Sequence, residues 1–219
     1  MSDRVFGSEL LRLVEVMDKL RSPGGCAWDA EQTHDSLIKY LLEESYEFID
    51  AIETEDRVGM REELGDVLLQ VYFHSRIAQD HPTDPFTIDD VAGAIADKLI
   101  GRHPHVFAGL EVSGTEEIIE NWEAIKAKEK GRTSAIDGVA MSQPALPLVS
   151  QLIYRADKYG APLHIDAFDA STPATEESVG KALASVIAWA YQHEIDPELA
   201  LRAQARAMIE QLSGSNQAE

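Results

Sequence analysis

The chain has 219 residues, 44% of them hydrophobic, and a formal net charge of −20 at neutral pH. This composition is typical of a folded globular protein, excludes a disordered chain, and allows one large domain or two smaller ones. The negative charge disfavours nucleic acids and anionic membranes as partners. With a single cysteine, Cys26, no internal disulfide can form, which favours a cytoplasmic location. We find neither the pattern of a signal peptide nor an apolar run of membrane length.

Apolar residues at helical spacing predict a series of helices along the first part of the chain. The sequence Ser22-Pro23-Gly24-Gly25 breaks the first helix, and His81 to Pro85 closes the third. Residues 26–34 and 101–114 are predicted to be loops. The predicted helices cover residues 6–20, 36–53, 60–79, 88–100 and 115–130.

The second part of the chain shows the same periodicity, with helices predicted over residues 148–159, 177–193 and 197–212. No segment alternates between apolar and polar residues as a half-buried strand does. We therefore predict an all-α protein, an antiparallel helix bundle.

Two acidic motifs lie on the neighbouring helices predicted over residues 36–53 and 60–79. Glu44 and Glu47 are three residues apart, as are Glu63 and Asp66, so each pair shares one face of its helix. Apolar residues flank both pairs, which predicts that the carboxylates border the core. Such a cluster is costly unless a cation meets it, and oxygen ligands suit magnesium, which commonly accompanies phosphates.

Two alternatives compete with a magnesium site. A single E-x-x-E pattern is most often a solvated helix face, but here two pairs lie in apolar sequence on adjacent helices. A di-iron bundle would require a Glu-x-x-His pair on each of two helices. Neither Glu47 nor Glu63 is followed by a histidine three residues later, which disfavours iron.

Basic residues are scarce, so their positions are informative. Lys98 and Arg102 are four residues apart near a predicted helix end and could contact phosphate oxygens. Trp122 lies one helical turn from Lys126, which places a ring and a cation on one face. Trp122 could equally be a core residue. His103 and His105 flank a proline and are as consistent with a turn as with metal binding.

The motifs together resemble the MazG family of nucleoside triphosphate pyrophosphohydrolases over about residues 11–138. Residues 25–34, GCAWDAEQTH, are similar to the family's G-C-P-W-D-x-x-Q-T-H segment. Residues 98–107, KLIGRHPHVF, resemble its K-L-I-R-R-H-P-H-V-F segment. The E-E-x-x-E motif followed by E-x-x-D matches the family's metal motif. Two positions depart from the pattern, because Ala27 replaces a proline and Gly101 replaces an arginine.

The resemblance implies an all-α, usually dimeric enzyme that uses Mg²⁺, with Mn²⁺ as a possible substitute. It would convert a nucleoside triphosphate to the monophosphate and pyrophosphate. Its implied role is to remove unwanted nucleotides from the nucleotide pool. The residues carried over by motif position are the metal ligands Glu44, Glu47, Glu63 and Asp66, the nucleotide contacts Lys98, Arg102, Trp122 and Lys126, and the carboxylates Glu43 and Glu62 as base or outer shell.

The C-terminal half contains a possible degenerate repeat of the acidic region. Laying Gly180 over Gly65 also matches apolar positions on both helices, whereas Asp66 is replaced by Lys181 and Glu63 by Ser178. We therefore predict a catalytic domain over residues 1–135 and a helical half over residues 136–219 without a metal site. Chance similarity between two helical segments is the alternative.

Two functions remain open from the sequence. The leading one is a magnesium-dependent nucleoside triphosphate pyrophosphohydrolase, acting as a homodimer. The other is a helical module that binds nucleotides for regulation or interaction without turnover. The intact set of four acidic residues favours the enzyme, since binding alone would not need them all.

Overall fold

A computed structural model describes residues 7–129, 131, 134–161, 163–167 and 171–215, and every regular element in these ranges is a helix. The all-α prediction is therefore confirmed. The helices are, in chain order, α1 Ser8–Arg21, α2 Ala27–Glu31, α3 His34–Glu53, α4 Arg57–Ala78, α5 Ile88–Arg102, α6 Pro104–Phe107, α7 Thr115–Glu129, α8 Ala145–Lys158, α9 Glu176–Gln192 and α10 Pro197–Ser215.

Side-chain caps fix where the long helices begin. Thr33 accepts a hydrogen bond from the backbone N–H of Ser36, whose hydroxyl accepts one in return from the N–H of Thr33, and this capping box starts α3. The Asp56 carboxylate accepts from the N–H groups of Val58 and Gly59, so α4 begins at Arg57, three residues before the predicted start. The Asp56 cap thereby limits the turn between α3 and α4 to residues 54–56.

Two predicted loops contain short helices. Residues 27–31 form α2, and residues 104–107 form α6, where Pro104 occupies the first turn. Neither is long enough to show a helical apolar pattern, so both were missed. Two predicted helix ends, Phe6 and Lys130, lie outside the described residues.

The chain divides into two compact units, residues 1–113 and 114–219. The sequence-based boundary after residue 135 stays a prediction about where the family-like segment ends. In the first unit, α3 and α4 form the most extensive helix pair, and α1 and α5 pack on α4. None of the described helices has the length and hydropathy to cross a membrane.

The core of the first unit lies where α1, α3 and α4 meet. Met17, Leu37 and Phe73 form it, and Met17 and Leu37 are 2% and 1% exposed. Burying each of these side chains stabilises the fold by about 1.5–3 kcal/mol. Leu37 of α3 and Phe73 of α4 thereby fix the pairing of the two helices that carry the acidic motifs.

The second unit is built around α8 and α9, with α10 packed on both. Ile153 of α8 and Ile187 of α9 are buried. Arg155 is 4% exposed and satisfied internally, because its guanidinium donates hydrogen bonds to the carbonyl oxygens of Ala135 and Asp137. These bonds hold residues 135–137 against α8.

Candidate metal centre

Three of the four predicted metal ligands converge between α3 and α4. Carboxylate oxygens of Glu44, Glu63 and Asp66 all lie within 4.8 Å of one another, and the three residues are half-buried. They meet because the helices are antiparallel neighbours and each motif faces the shared seam. Clustered oxygen donors of this kind suit a hard divalent cation.

The pKa of Glu44 is raised by its surroundings. Burial raises the pKa of this carboxyl above its usual value, and the nearby carboxylates Asp66, Glu47, Glu63 and Glu43 raise it further. The neighbours that shift this pKa are all acidic, so they favour the protonated acid in the absence of a cation.

Glu63 responds in the same way and also connects the cluster to Glu47. Burial raises its pKa first, followed by repulsion from Glu47, Asp66 and Glu62. In its protonated form, Glu63 can donate a hydrogen bond to the Glu47 carboxylate, which adds to this shift. Glu47 is exposed and outside the group of three, but in contact with it. Its role as a fourth ligand therefore stays a prediction.

The two carboxylates predicted as base or outer shell flank the cluster. Glu43 and Glu62 are exposed, each immediately before a predicted ligand in the chain. Glu43 acts on the pKa of Glu44, and Glu62 acts on that of Glu63. Both therefore lie close enough to the cluster to influence its charge, while neither belongs to the group of three.

Sequence reasoning missed two polar residues farther along α4. Gln70 follows Asp66 by one helical turn, and His74 follows Gln70 by another, so they continue the acidic face. Gln70 is 4% exposed, and its Oε1 and the Nε2 of His74 are buried without a hydrogen-bond partner. The sequence signal for Gln70 is that this glutamine lies one helical turn after Asp66 within an apolar stretch.

His74 is paired with His34 at the start of α3. The two rings are stacked with a 2° angle between planes, and their Nδ1 atoms are 2.8 Å apart. One Nδ1 must donate and the other must accept, so the contact fails if both imidazoles are fully protonated. Burial lowers the pKa of His74, and the charge of His34 lowers it further.

The predicted phosphate contacts of α5 differ in exposure. Lys98 is exposed, whereas Arg102 is only 7% exposed. Both belong to the same unit as the acidic cluster, and α5 packs against α4. Gly101 lies between them on α5, and a Cβ there would meet no atom within 4 Å. A Cβ atom at this position would therefore cause no clash.

Trp122 and Lys126 lie on α7 in the second unit. The Lys126 Nζ is 4.3 Å from the centre of the Trp122 ring, which is the shared face that the sequence predicts. Lys126 also approaches Glu123 at 3.6 Å. Their contact with a nucleotide stays a prediction.

His103 and His105 have a structural explanation. Their rings are tilted with centres 5.6 Å apart, and His103 Nδ1 lies 2.6 Å from the carbonyl oxygen of Leu99. This bond satisfies a carbonyl at the end of α5. In the part of the chain that the structure describes, Glu44, Glu63 and Asp66 are the group that could hold a metal.

Comparison with known proteins gives a consistent set of relatives. The family model "MazG nucleotide pyrophosphohydrolase domain" matches residues 32–107, which include α3 and α4. The chain is 41% identical over 214 residues to the nucleoside triphosphate pyrophosphohydrolase/pyrophosphatase MazG of Thermotoga maritima, covering 90% of this chain and 82% of that protein.

Two actinobacterial proteins are also similar. The nucleoside triphosphate pyrophosphohydrolase of Mycobacterium tuberculosis is 51% identical over 163 residues, which cover 74% of this chain and 49% of that protein. An uncharacterized 26.1 kDa protein of Streptomyces cacaoi is 48% identical over 201 residues, which cover 91% of this chain and 79% of that protein. The chain thus spans about half of the mycobacterial relative.

Proposed function

The chain belongs to the MazG family, and we propose that it is a magnesium-dependent enzyme that hydrolyses nucleoside triphosphates to nucleoside monophosphate and pyrophosphate. The observation that carries this proposal is the convergence of Glu44, Glu63 and Asp66 within 4.8 Å between α3 and α4. The names of the Thermotoga and mycobacterial relatives support the same reaction.

The residues of the cluster fit a divalent cation. All the donors are carboxylate oxygens, which Mg²⁺ and Mn²⁺ prefer. Burial and the neighbouring negative charges raise the pKa values of Glu44 and Glu63. Glu44, Glu63 and Asp66 would hold the ion, with the Glu47 carboxylate beside Glu63. A bound divalent cation supplies neutralisation of the phosphate oxygens on which charge develops.

The remaining residues supply water activation and substrate binding. Glu43 and Glu62 are exposed beside the cluster, where a carboxylate can accept a proton from the attacking water. Lys98 and Arg102 are proposed to bind phosphate oxygens. Trp122 and Lys126 are proposed to contact the nucleotide as one aromatic and cationic pair.

The products follow from which anhydride bond breaks. Water attack that separates the α-phosphate from the β-phosphate yields a nucleoside monophosphate and pyrophosphate. The proton of that water passes to a carboxylate of the chain, and the pyrophosphate leaves with the bonding electron pair. We further propose that the enzyme removes surplus or damaged nucleotides in the cytoplasm, where its single cysteine stays reduced.

A homodimer is the proposed assembly. Leu64 and Val71 lie on one face of α4 and are 50% and 39% exposed, although they are apolar. On α3, Leu42 is 52% exposed. Apolar surface beside a catalytic cluster is consistent with a second copy covering it. The net charge of −20 argues against nucleic acid and anionic membranes as further partners.

Incubation of the full-length protein with a panel of canonical and modified triphosphates tests the activity. Chromatography resolves monophosphates from diphosphates after reaction with Mg²⁺. Turnover of at least one triphosphate to the monophosphate is expected. Binding of triphosphates without any turnover would instead support a regulatory nucleotide-binding module.

A further inference from the structure

A cavity of about 390 Å³ lies in the second unit, beside α9. None of its described lining residues is proposed above for catalysis. Its lining residues are Ile165, Asp166, Ala167, Ser185, Val186, Ala188, Trp189 and Gln192.

The cavity lies on the face of α9 that corresponds to the α3-facing side of α4. In the register that lays Gly180 over Gly65, Ser185 matches Gln70, Ala188 matches Phe73 and Gln192 matches Ile77. In the first unit, Phe73 is buried against Leu37 of α3. The corresponding positions of α9 line the cavity instead.

Helix packing leaves part of this face uncovered. Among the described residues, α8 and α10 pack on α9, yet the lining residue Val186 stays 49% exposed. Residues 165–167 cover part of this face as a connection without helix. Ala188 also fills far less volume than the phenylalanine at the matched position of α4.

The lining combines one large aromatic ring with a few polar groups. Trp189 is 61% exposed and meets His193 edge-on with ring centres 5.7 Å apart, an arrangement in which an indole face can stack on a planar ligand. The aliphatic side chains of Ile165 and Val186 form another part of the cavity wall. The volume falls within the range of about 300–1,000 Å³ that is usual for small-molecule sites.

The polar groups select the ligand. Asp166 offers carboxylate oxygens, one of which lies 2.9 Å from His164, and the Ser185 hydroxyl already donates to the carbonyl of Ala182. These two groups therefore accept hydrogen bonds, while the Gln192 amide can both donate and accept. None of the described lining residues of the cavity is a lysine or an arginine. The nearby Lys181, whose pKa is raised by its hydrogen bond to Glu177 and further by Asp166, is already paired with Glu177 at 2.7 Å. Phosphate groups are therefore disfavoured.

We propose that this cavity binds the adenine base of a nucleoside, stacked on Trp189, with its amino group donating to Asp166 and its N6/N7 edge facing Gln192. Adenine presents an amino donor beside a ring-nitrogen acceptor, which is the pattern a glutamine amide pairs with. An uncharged nucleoside needs no cation in the lining, whereas a triphosphate would need one. The proposal does not rest on the proposed function.

Titration calorimetry of the full-length protein with adenosine, in EDTA and without triphosphate, tests the proposal. One saturable site per chain is expected, with uridine binding more weakly because it lacks the amino group. Trp189→Ala should weaken adenosine binding at least about fivefold, the lower bound for losing base–aromatic stacking. Ala188→Phe should weaken it by filling the cavity. Leu183→Ala, on the same helix outside the lining, should bind like the wild type.

Three outcomes would overturn the proposal. They are no saturable adenosine binding, equal binding of uridine, and binding that survives Trp189→Ala but is lost in Asp66→Asn. The last outcome would assign the nucleoside to the acidic unit. Because Trp189 is largely exposed, its replacement leaves the core intact, and circular dichroism of each variant verifies the fold.

Discussion

Glu44 of α3 and Asp66 of α4 present carboxylate oxygens within 4.8 Å of each other, although they belong to different helices. The contact exists because Leu37 and Phe73 lock the two helices together nearby. Burial raises the pKa of Glu44, and repulsion between the two half-buried carboxylates raises it further. A bound cation, or the replacement of one carboxylate by an amide, would relieve this repulsion.

Amide substitution at the cluster should abolish most activity. Glu44→Gln, Glu63→Gln and Asp66→Asn keep the side-chain shape but remove the charge that a divalent cation needs. We expect turnover with Mg²⁺ to fall by roughly 100-fold or more, since even outer-shell changes cost about 10–100-fold. Initial rates at saturating triphosphate measure this loss. Asp50→Asn, an exposed carboxylate of the same helix, is the matched control and should retain the wild-type rate.

Glu47 is the fourth predicted metal ligand. Glu47→Gln should reduce the apparent Mg²⁺ affinity, because it removes a negative charge that acts on Glu63. Rates measured across a Mg²⁺ titration report this shift. An unchanged titration midpoint would remove Glu47 from the metal site.

The same substitutions should have the opposite effect on stability without metal. Replacing Glu44 or Glu63 by glutamine removes one member of a mutually repelling set whose pKa values are raised. The melting temperature in EDTA should therefore increase for Glu44→Gln relative to the wild type. Adding Mg²⁺ should stabilise the wild type more than the variant. A lower melting temperature in EDTA would mean that the cluster is internally satisfied.

Acid should destabilise the protein through His74. The pKa of His74 is lowered in the folded state, so between that value and its unfolded value the unfolded chain binds more protons. Stability from this group is complete above pH ~6.5 and is lost as pH falls toward the lowered pKa. Urea unfolding across this range should show a smaller pH dependence in His74→Gln than in the wild type.

The control for the pH experiment is His164→Gln. The side chain of His164 is 90% exposed and its ring pairs with Asp166. This variant should keep the wild-type slope between pH ~5 and ~6.5, the range below the ordinary histidine pKa. If His74→Gln and His164→Gln give the same slope, the stacked histidine pair does not control acid stability.

Lys181 should be dispensable for catalysis. It matches Asp66 in the proposed repeat, and its ammonium pairs with Glu177 at 2.7 Å on the surface of α9. Because an exposed pair one turn apart contributes little to stability, Lys181→Ala should fold normally and keep its turnover rate. Steady-state kinetics with circular dichroism test this. A large loss of turnover in the folded variant would show that α9 takes part in the reaction.

The sequence predicted the long helices well because their apolar periodicity and caps are local signals. Asp56 is an example of a local signal that was not used, since its cap starts α4 before the apolar pattern does. The convergence of Glu44 with Asp66 also followed from motif spacing on adjacent helices.

Long-range contacts were not predictable in the same way. The stacking of His34 on His74 depends on the register between α3 and α4, which no short pattern encodes. The burial of the Gln70 Oε1 without a hydrogen-bond partner depends on the same register. The cavity beside α9 depends on which face of α9 its neighbours leave uncovered, so only the packed structure reveals it.

The most direct test of the central claim is phosphorus NMR of the reaction products with Mg²⁺ and with EDTA. We expect pyrophosphate and nucleoside monophosphate to appear together with Mg²⁺, and no turnover in EDTA or with Asp66→Asn. Orthophosphate and nucleoside diphosphate as the first products, or equal rates in EDTA, would contradict a metal-dependent pyrophosphohydrolase built on Glu44, Glu63 and Asp66.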